Sequence, residues 1–346
     1  MTSIGADRLL LSALLFALFG VGEAYVVGRF GFGFFRLIAL AYVTLFVVLP
    51  ILAATILVMH RLPVAPHRLT RGAMALAVPC LLLPPVGWHA SFVAPYQLVV
   101  ERTQVDVAAE LTTPIKIAVL ADYQSPAIGD YQREAIDQLL TLEPDLILIP
   151  GDVIQAESHA DYVAVLPDFH AQLSRLQAPG GTYFAQGNTD PYPMVGHLTG
   201  GTGVVNLDDS IVRVEVRGVT LAIGGLRLLG HNYPSGQIVL DTLETEHADA
   251  DVRLLVSHLP DAVRSLPSSS NIDLVVSGHT HGGQVQLPYF GPLVILSSVP
   301  RAIGAGGLGE VNGNAIYVSR GVGMERAPAP PVRFFCPPEL SLLTLR

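Results

Sequence analysis

Lysine is nearly absent: Lys116 is the sole lysine, and arginine supplies every other cation. Lys and Arg total 20 against 29 Asp and Glu, a formal net charge of −9. A chain so short of cations offers no basic face to a nucleic-acid backbone, which excludes DNA and RNA as partners. Cysteine is equally scarce. Cys80 falls in an apolar run and Cys336 in a distant Phe-Phe-Cys-Pro-Pro segment, so a disulfide framework is excluded as the source of stability. No internal repeat is visible, which excludes a solenoid or propeller.

The apolar residues are concentrated at one end. Residues 1–92 hold six Arg (8, 29, 36, 61, 68 and 71) and two carboxylates, Asp7 and Glu23, so the acidic excess lies entirely in 93–346. Leu9–Val27 and Leu37–Met59 are almost unbroken apolar runs, each long enough for a hydrocarbon core of about 30 Å. Gly72–Phe92 is a third run, interrupted by Pro79, Pro84 and Pro85, which membrane helices tolerate when neighbours satisfy the freed carbonyls. A cleaved signal peptide would not be followed by a second long apolar run. Residues 1–92 are therefore expected as about three transmembrane helices, and 93–346 as a separate domain. Glu23 sits about a turn from the end of its run, within reach of the interface. The connection 60–71 carries Arg61, Arg68 and Arg71, against Arg29 and Arg36 in 28–36. Placing the richer loop in the cytoplasm sends the acidic domain outside, giving a multi-pass protein of the cell (inner) membrane with the bilayer as a partner.

From Ala94 onward the pattern changes. Gln97–Val107 reads as an initial strand, Ile115–Leu120 as a buried strand and Tyr131–Leu142 as a helix. Leu146–Pro150 and Thr182–Gln186 are strands, with helical spacing over 160–176 between them. Ser210–Ile223 suggests a hairpin turning at Arg217-Gly218, and Val252–Ser257, Ile272–Ser277, Ala315–Ser319 and Leu340–Leu345 are further strands. Such an α/β order predicts two packed sheets with helices outside. The Pro-rich stretch 327–338 is expected as a loop. The Gly-rich stretch 303–313, lacking a strand–loop–helix context, is expected as a mobile loop rather than a phosphate cradle.

Five predicted strands end in residues that ligate metals. Ile115–Leu120 runs into Asp122-Tyr-Gln124, Leu146–Pro150 into Gly-Asp152, and Thr182–Gln186 into Gly187-Asn188-Thr189-Asp190. Val252–Ser257 runs into His258, and Ile272–Ser277 into Gly-His279-Thr-His281-Gly-Gly. Taken singly each is ordinary: Gly-Asp commonly follows a strand, and a lone histidine is usually a satisfied structural one. Together, carboxylates, an amide and imidazoles at the carboxyl ends of strands form a donor set suited to Mn, Fe or Zn.

The ordered set resembles the signature of calcineurin-like metallophosphoesterases: Asp-x-His, Gly-Asp, Gly-Asn-His-Asp/Glu, His, Gly-His-x-His. The resemblance covers about residues 112–346, and the tail Gly-Gly-Gln-Val-Gln-Leu-Pro with Val-Ser-Arg-Gly is similar to the family's bacterial membrane-associated branch. It implies a four-layer α/β/β/α sandwich, and one or two divalent cations that clamp phosphate and generate a bound hydroxide for in-line attack. It assigns Asp152 as the bridge, Asn188, His258 and His279 to one metal, and Asp122 and His281, with Gln124, to the other. Asp152, Asn188, Asp190 and His231 are the catalytic candidates. The implied substrate is a phosphoester or pyrophosphate, with lipid-linked phosphates favoured by the membrane anchor.

Two positions depart from the family pattern. Gln124 stands where relatives have a metal-binding His, and Thr189 where they have the His that stabilises phosphate or protonates the leaving group. A carboxamide binds borderline metals more weakly than imidazole, and losing a general acid costs on the order of 10²–10⁴ in rate. His231, after a predicted strand, is the best substitute among His159, His170, His197, His231 and His247, beside its ordinary reading as a surface or capping histidine. Arg320 is open between a phosphate contact and a structural ion pair. The competing function is a degenerate relative that binds metal and a phosphorylated ligand with little or no catalysis.

Overall fold

A computed structural model describes residues 33–61, 77–191, 194–245, 249–326 and 328–346. The run Leu9–Val27 with Glu23, most of the Arg-rich connection, and His247 lie outside the described residues. The described chain divides into two compact units: residues up to His89 with 326 and 328–331, and Ala90–Glu325 with Val332–Arg346.

In the first unit Phe34–Val58 is a continuous helix of 25 residues, π-helical over Thr44–Val48. At about 1.5 Å per residue it exceeds the thickness of a hydrocarbon core. Phe34, Leu37, Val43, Leu45, Val47, Ile51 and Val58 are exposed on it, an arrangement suited to lipid rather than water. Ala77–Tyr96, 20 residues, is the second helix long and apolar enough to cross a membrane. A Cβ at Gly87 would lie 2.6 Å from the Phe46 ring, so a small residue sets how closely these two helices pack.

The second unit is built on two six-stranded mixed sheets, beside a two-stranded ribbon of β10 (Gln286–Leu287) and β11 (Gly291–Pro292). The first has the order β1 (Val99–Val105), β14 (Glu339–Leu345), β2 (Ile115–Val119), β3 (Leu146–Ile149), β4 (Thr182–Phe184) and β5 (Val205–Asn206). The second runs β12 (Gly307–Val311), β13 (Asn314–Val318), β9 (Leu274–Ser277), β8 (Val252–Ser257), β7 (Val219–Leu226) and β6 (Ser210–Val216). The neighbours β2–β3–β4 and β7–β8–β9 are parallel, so each triplet delivers its carboxyl ends to one edge.

Alternation decides which side chains go where. Ile115, Ile117 and Val119 of β2 join Leu221, Ile223, Leu254 and Val276 of the other sheet in one apolar cluster. The intervening Ala118, with Leu120, packs with Ile136 and Leu139 of the helix Asp130–Thr141 and Phe169 of the helix His159–Leu173. On the far side of the second sheet, Ala222 and Leu255 pack with Val239, Leu240 and Leu243 of the helix Pro234–Thr245. With both faces covered, β2, β3 and β8 read as near-continuous apolar runs. Truncating a fully buried member such as Leu148 to Ala costs about 2–5 kcal/mol.

The hairpin at Arg217-Gly218 forms as expected, with both residues at positive φ. The Gly-rich stretch does not: 303–313 is no loop. It contains β12, paired antiparallel with β13 through an Asn312-Gly313 turn whose φ angles are 54° and 78°. Asn-Gly is the preferred pair for such a two-residue turn. Cys80 and Cys336 are both free.

Candidate metal centre

The candidate ligands sit just past the carboxyl ends of strands, and several of them on strained backbone. Asp122, Asp152, His279 and His281 have φ of 46°, 54°, 69° and 49°, a region L-residues rarely adopt. Such strain persists where surrounding structure enforces it, and it clusters at functional sites. Close glycines do the enforcing. A Cβ at Gly187 would lie 2.2 Å from Asp152 Oδ1, and one at Gly278 would lie 2.5 Å from Asp122 Oδ2. The loops therefore come within touching distance only because these positions carry no side chain.

Asp122, Asp152 and His258 are buried and can bring one ligand atom each within 4.8 Å of one another. His258 donates from Nδ1 to the Pro150 carbonyl at 2.9 Å, and His279 donates from Nε2 to the Leu296 carbonyl at 2.9 Å. A carbonyl can only accept, so these bonds fix both tautomers and leave His258 Nε2 and His279 Nδ1 as bare lone pairs. Those two atoms are 3.1 Å apart, and each meets Asn188 Oδ1, at 2.8 and 2.9 Å. Asp152 Oδ2 is 3.4 Å from His258 Nε2. Four acceptors thus converge with no proton among them. In the neutral rings that contact is repulsive, and a cation resolves it.

The surrounding electrostatics agree. Burial pushes His258 and His279 down to about 4, so both rings are neutral at pH 7. Burial raises Asp152 to about 6, and burial with the Asp152 charge raises Asp190 to about 7. Asp122 is raised by the same two causes. Arg333 offsets the Asp122 charge only in part, and a divalent cation provides the counter-charge these carboxylates still need. Gln124 Oε1 and His281 Nδ1 are buried with no hydrogen-bond partner. His281 Nε2 lies 3.9 Å from Asp122 Oδ1. The residues present fit divalent metal, with Asn188, His258, His279 and Asp152 in direct contact and Asp122, Gln124 and His281 beside them.

Asp190 has a different task from the one its position suggests. Its oxygens accept the backbone N–H groups of Asp152 (2.7 Å), Val153 (2.9 Å) and Gly187 (3.0 Å). It clamps two ligand loops together, and three of its roughly four acceptor sites are already taken, which leaves little for orienting a ring at position 189. Thr189 donates its N–H to Asp152 Oδ1 at 2.7 Å, while its Oγ1 is buried without a partner. His231 lies in the turn Gly230–Asn232, where its Nε2 meets the Asn232 amide at 3.0 Å. Among the described residues no hydrogen bond joins it to the cluster. Arg320 pairs with Glu339 and, at 3.2 Å, with Glu101, which settles it as a structural ion pair.

Arg333 was invisible in the sequence. It is wholly buried, and its guanidinium donates to the carbonyls of His281, Arg320, Gly321, Gly323 and Cys336. Gly321 and Gly323 pack on Asp122, so Arg333 braces the loops behind that ligand. Its only sequence signal was an arginine inside a proline-rich stretch.

The sequence model of the calcineurin-like phosphoesterase family matches residues 115–283, the interval holding all these ligands. Over 212 residues the chain is 31% identical to the uncharacterized metallophosphoesterase YkuE of Bacillus subtilis, covering 59% of this chain and 68% of that one. The chain belongs to the calcineurin-like metallophosphoesterases. An uncharacterized metallophosphoesterase of Helicobacter pylori is 27% identical over 248 residues, covering 68% of this chain and 61% of the relative. A Bos taurus protein named transmembrane protein with metallophosphoesterase domain is 29% identical over 192 residues, covering 49% and 41%. The chain thus spans less than two thirds of the length of the last two. Metallophosphoesterases hydrolyse phosphoesters with divalent metal ions, and the converging donors of this chain are consistent with that use.

Proposed function

We propose that this metallophosphoesterase hydrolyses a phosphoester or pyrophosphate carried by a lipid, at the outer face of the membrane that anchors it. The observation that carries the hydrolytic reading is the meeting of His258 Nε2, His279 Nδ1, Asn188 Oδ1 and Asp152 with no proton among them. Asp152 would serve both ions, Asn188, His258 and His279 one, and Asp122, Gln124 and His281 the other. Divalent cations supply Lewis acidity toward a phosphoryl oxygen and lower the pKa of water. The protein's own part is to hold the imidazoles neutral, to offset the cations with Asp122 and Asp152, and to lock the loops through Asp190.

The lipid-linked reading rests on two features. The chain carries two helices of membrane-spanning length. Leu287, Tyr289, Phe290, Leu293 and Leu296 are exposed on the segment whose Leu296 carbonyl bonds His279, and 284–309 contains no carboxylate. Three apolar clusters, one shared by the sheets and one beyond each, support the four-layer sandwich. The reading of 1–92 as a multi-pass region of about three spans, with 93–346 outside the cell membrane, rests on the apolar runs and the arginine distribution.

A second reading, metal and ligand binding with weak catalysis, is favoured by Thr189, which offers no acid for the leaving group. The discriminating experiment is a substrate screen on the purified full chain with Mn²⁺, comparing lipid-linked phosphates with soluble aryl and alkyl phosphates. Preferential turnover of the lipid-linked class supports the proposal. Turnover of none, with metal bound, supports the second reading.

A further inference from the structure

The proposed second metal position keeps one imidazole, His281, and has a carboxamide, Gln124, in place of another, and what surrounds Gln124 bears on how it manages. Gln124 is fully buried in the loop after β2, with its N–H bonded to the Asp152 carbonyl at 2.9 Å. Its Nε2 donates to Glu325 Oε2 at 3.3 Å. The other carboxylate oxygen, Glu325 Oε1, accepts from Gln155 Nε2 at 3.1 Å, and the Glu325 N–H donates to Gln284 Oε1. Glu325 is therefore fixed from three sides. By taking the donor end of the Gln124 amide, it leaves the acceptor end, Oε1, as the atom that faces away from it, and that oxygen is buried with no partner. Leaving an amide oxygen buried and unpaired is unfavourable, so its orientation calls for an occupant. His281 Nδ1 is unpaired in the same way.

We infer that Glu325 is the positioning residue of the second metal site: it orients Gln124 so that the carboxamide oxygen replaces the missing imidazole, and supplies the anionic charge behind it. The pair is the carboxamide counterpart of a carboxylate that orients a metal-binding histidine. Glu325 comes from the loop after β13, about two hundred residues further along the chain, which is why Asp-Tyr-Gln alone looks deficient. The consequence concerns selectivity. Beside the His281 imidazole, oxygen atoms from Asp122, Asp152 and Gln124 form a harder set than one with a second imidazole, which moves the preference from Zn²⁺ toward Mn²⁺ or Mg²⁺.

The inference rests on the two-metal reading above, and the test separates the two. Purified full chain, stripped with chelator, is titrated with Mn²⁺, and bound metal is counted by elemental analysis and by electron paramagnetic resonance. Wild type is expected to bind two Mn²⁺. Glu325→Gln should weaken one of them by about 10- to 100-fold, the usual effect of losing an outer ligand partner, and leave the other unchanged. Glu325→Asp, which keeps the charge, should recover part of the loss, and Glu325→Gln with Gln124→His should restore the second ion with a preference moved toward Zn²⁺. Two Mn²⁺ bound with wild-type affinity in Glu325→Gln overturns the role of Glu325 while leaving the two-metal reading intact. Wild type that binds fewer than two Mn²⁺ overturns the two-metal reading itself. A thermal melt of each variant identifies any that fails to fold, in which case Glu325→Asp carries the decision: a weakening confined to one ion supports the role, and two ions bound at wild-type affinity, or loss of both, overturns a role confined to the second site.

Discussion

Replacing Asp190 by Ala removes the acceptor for three buried N–H groups, those of Asp152, Val153 and Gly187. Each unsatisfied group costs about 1–3 kcal/mol. Two effects oppose that loss. Water entering the space left by the carboxylate can satisfy one donor or two, and the variant is spared the cost of burying a carboxylate whose pKa stands at about 7. The donors still outnumber the relief, and a net cost of about 3 kcal/mol follows. For a domain of this size 1 kcal/mol shifts Tm by about 2–4 °C, so the metal-free variant should melt roughly 6–12 °C lower. Asp190→Asn keeps one acceptor and should fall about a third as far. Because Asp190 touches the loops of Asp152 and Asn188, Mn²⁺ affinity should drop by about 10- to 100-fold in both variants. The assay is a thermal melt of the full chain in detergent, with and without Mn²⁺, beside a metal titration. An Ala variant with wild-type Tm and wild-type Mn²⁺ affinity would refute the clamp.

Two further outcomes follow from the site. Asp152 and Asp190 have raised pKa values, about 6 and about 7, so below those values protons compete with metal; Mn²⁺ affinity should fall as pH drops through 7 to 5, with proton release measurable by calorimetry in buffers of differing ionisation enthalpy, and a flat profile would count against burial as the cause. Thr189→His should raise turnover of alkyl phosphates more than that of p-nitrophenyl esters, whose leaving group needs little protonation; because Asp190 is already engaged, the gain should fall short of the usual 10²–10⁴, and equal acceleration of both classes would exclude a general-acid role.

The sheet strands with both faces covered were legible because their apolar runs are short and preceded by an aspartate, as in Leu146–Ile149 after Asp145 and Val252–Ser257 after Asp251. The ligands were legible because each follows such a strand. Where the sequence misled, tertiary contact overrode local pattern. Gly307–Val311 has too many glycines to look like a strand, yet Asn312-Gly313 pins it against β13, and that dipeptide was the available signal. Asp190 looked like a ring-orienting acid beside position 189, but its partners are backbone groups 37 and 38 residues away. Arg333 and Glu325 lie in the tail, and nothing near them in the chain states that they return to the loops after β2 and β9.

The account turns on metal held by Asp152 and its neighbours, and the most direct test is the metal content of Asp152→Ala beside wild type, measured by elemental analysis on the folded full chain after Mn²⁺ loading and desalting. Wild type should retain close to two ions per chain and the variant almost none, because Asp152 is the one ligand proposed to serve both positions. An Asp152→Ala chain that keeps wild-type metal content would contradict the account.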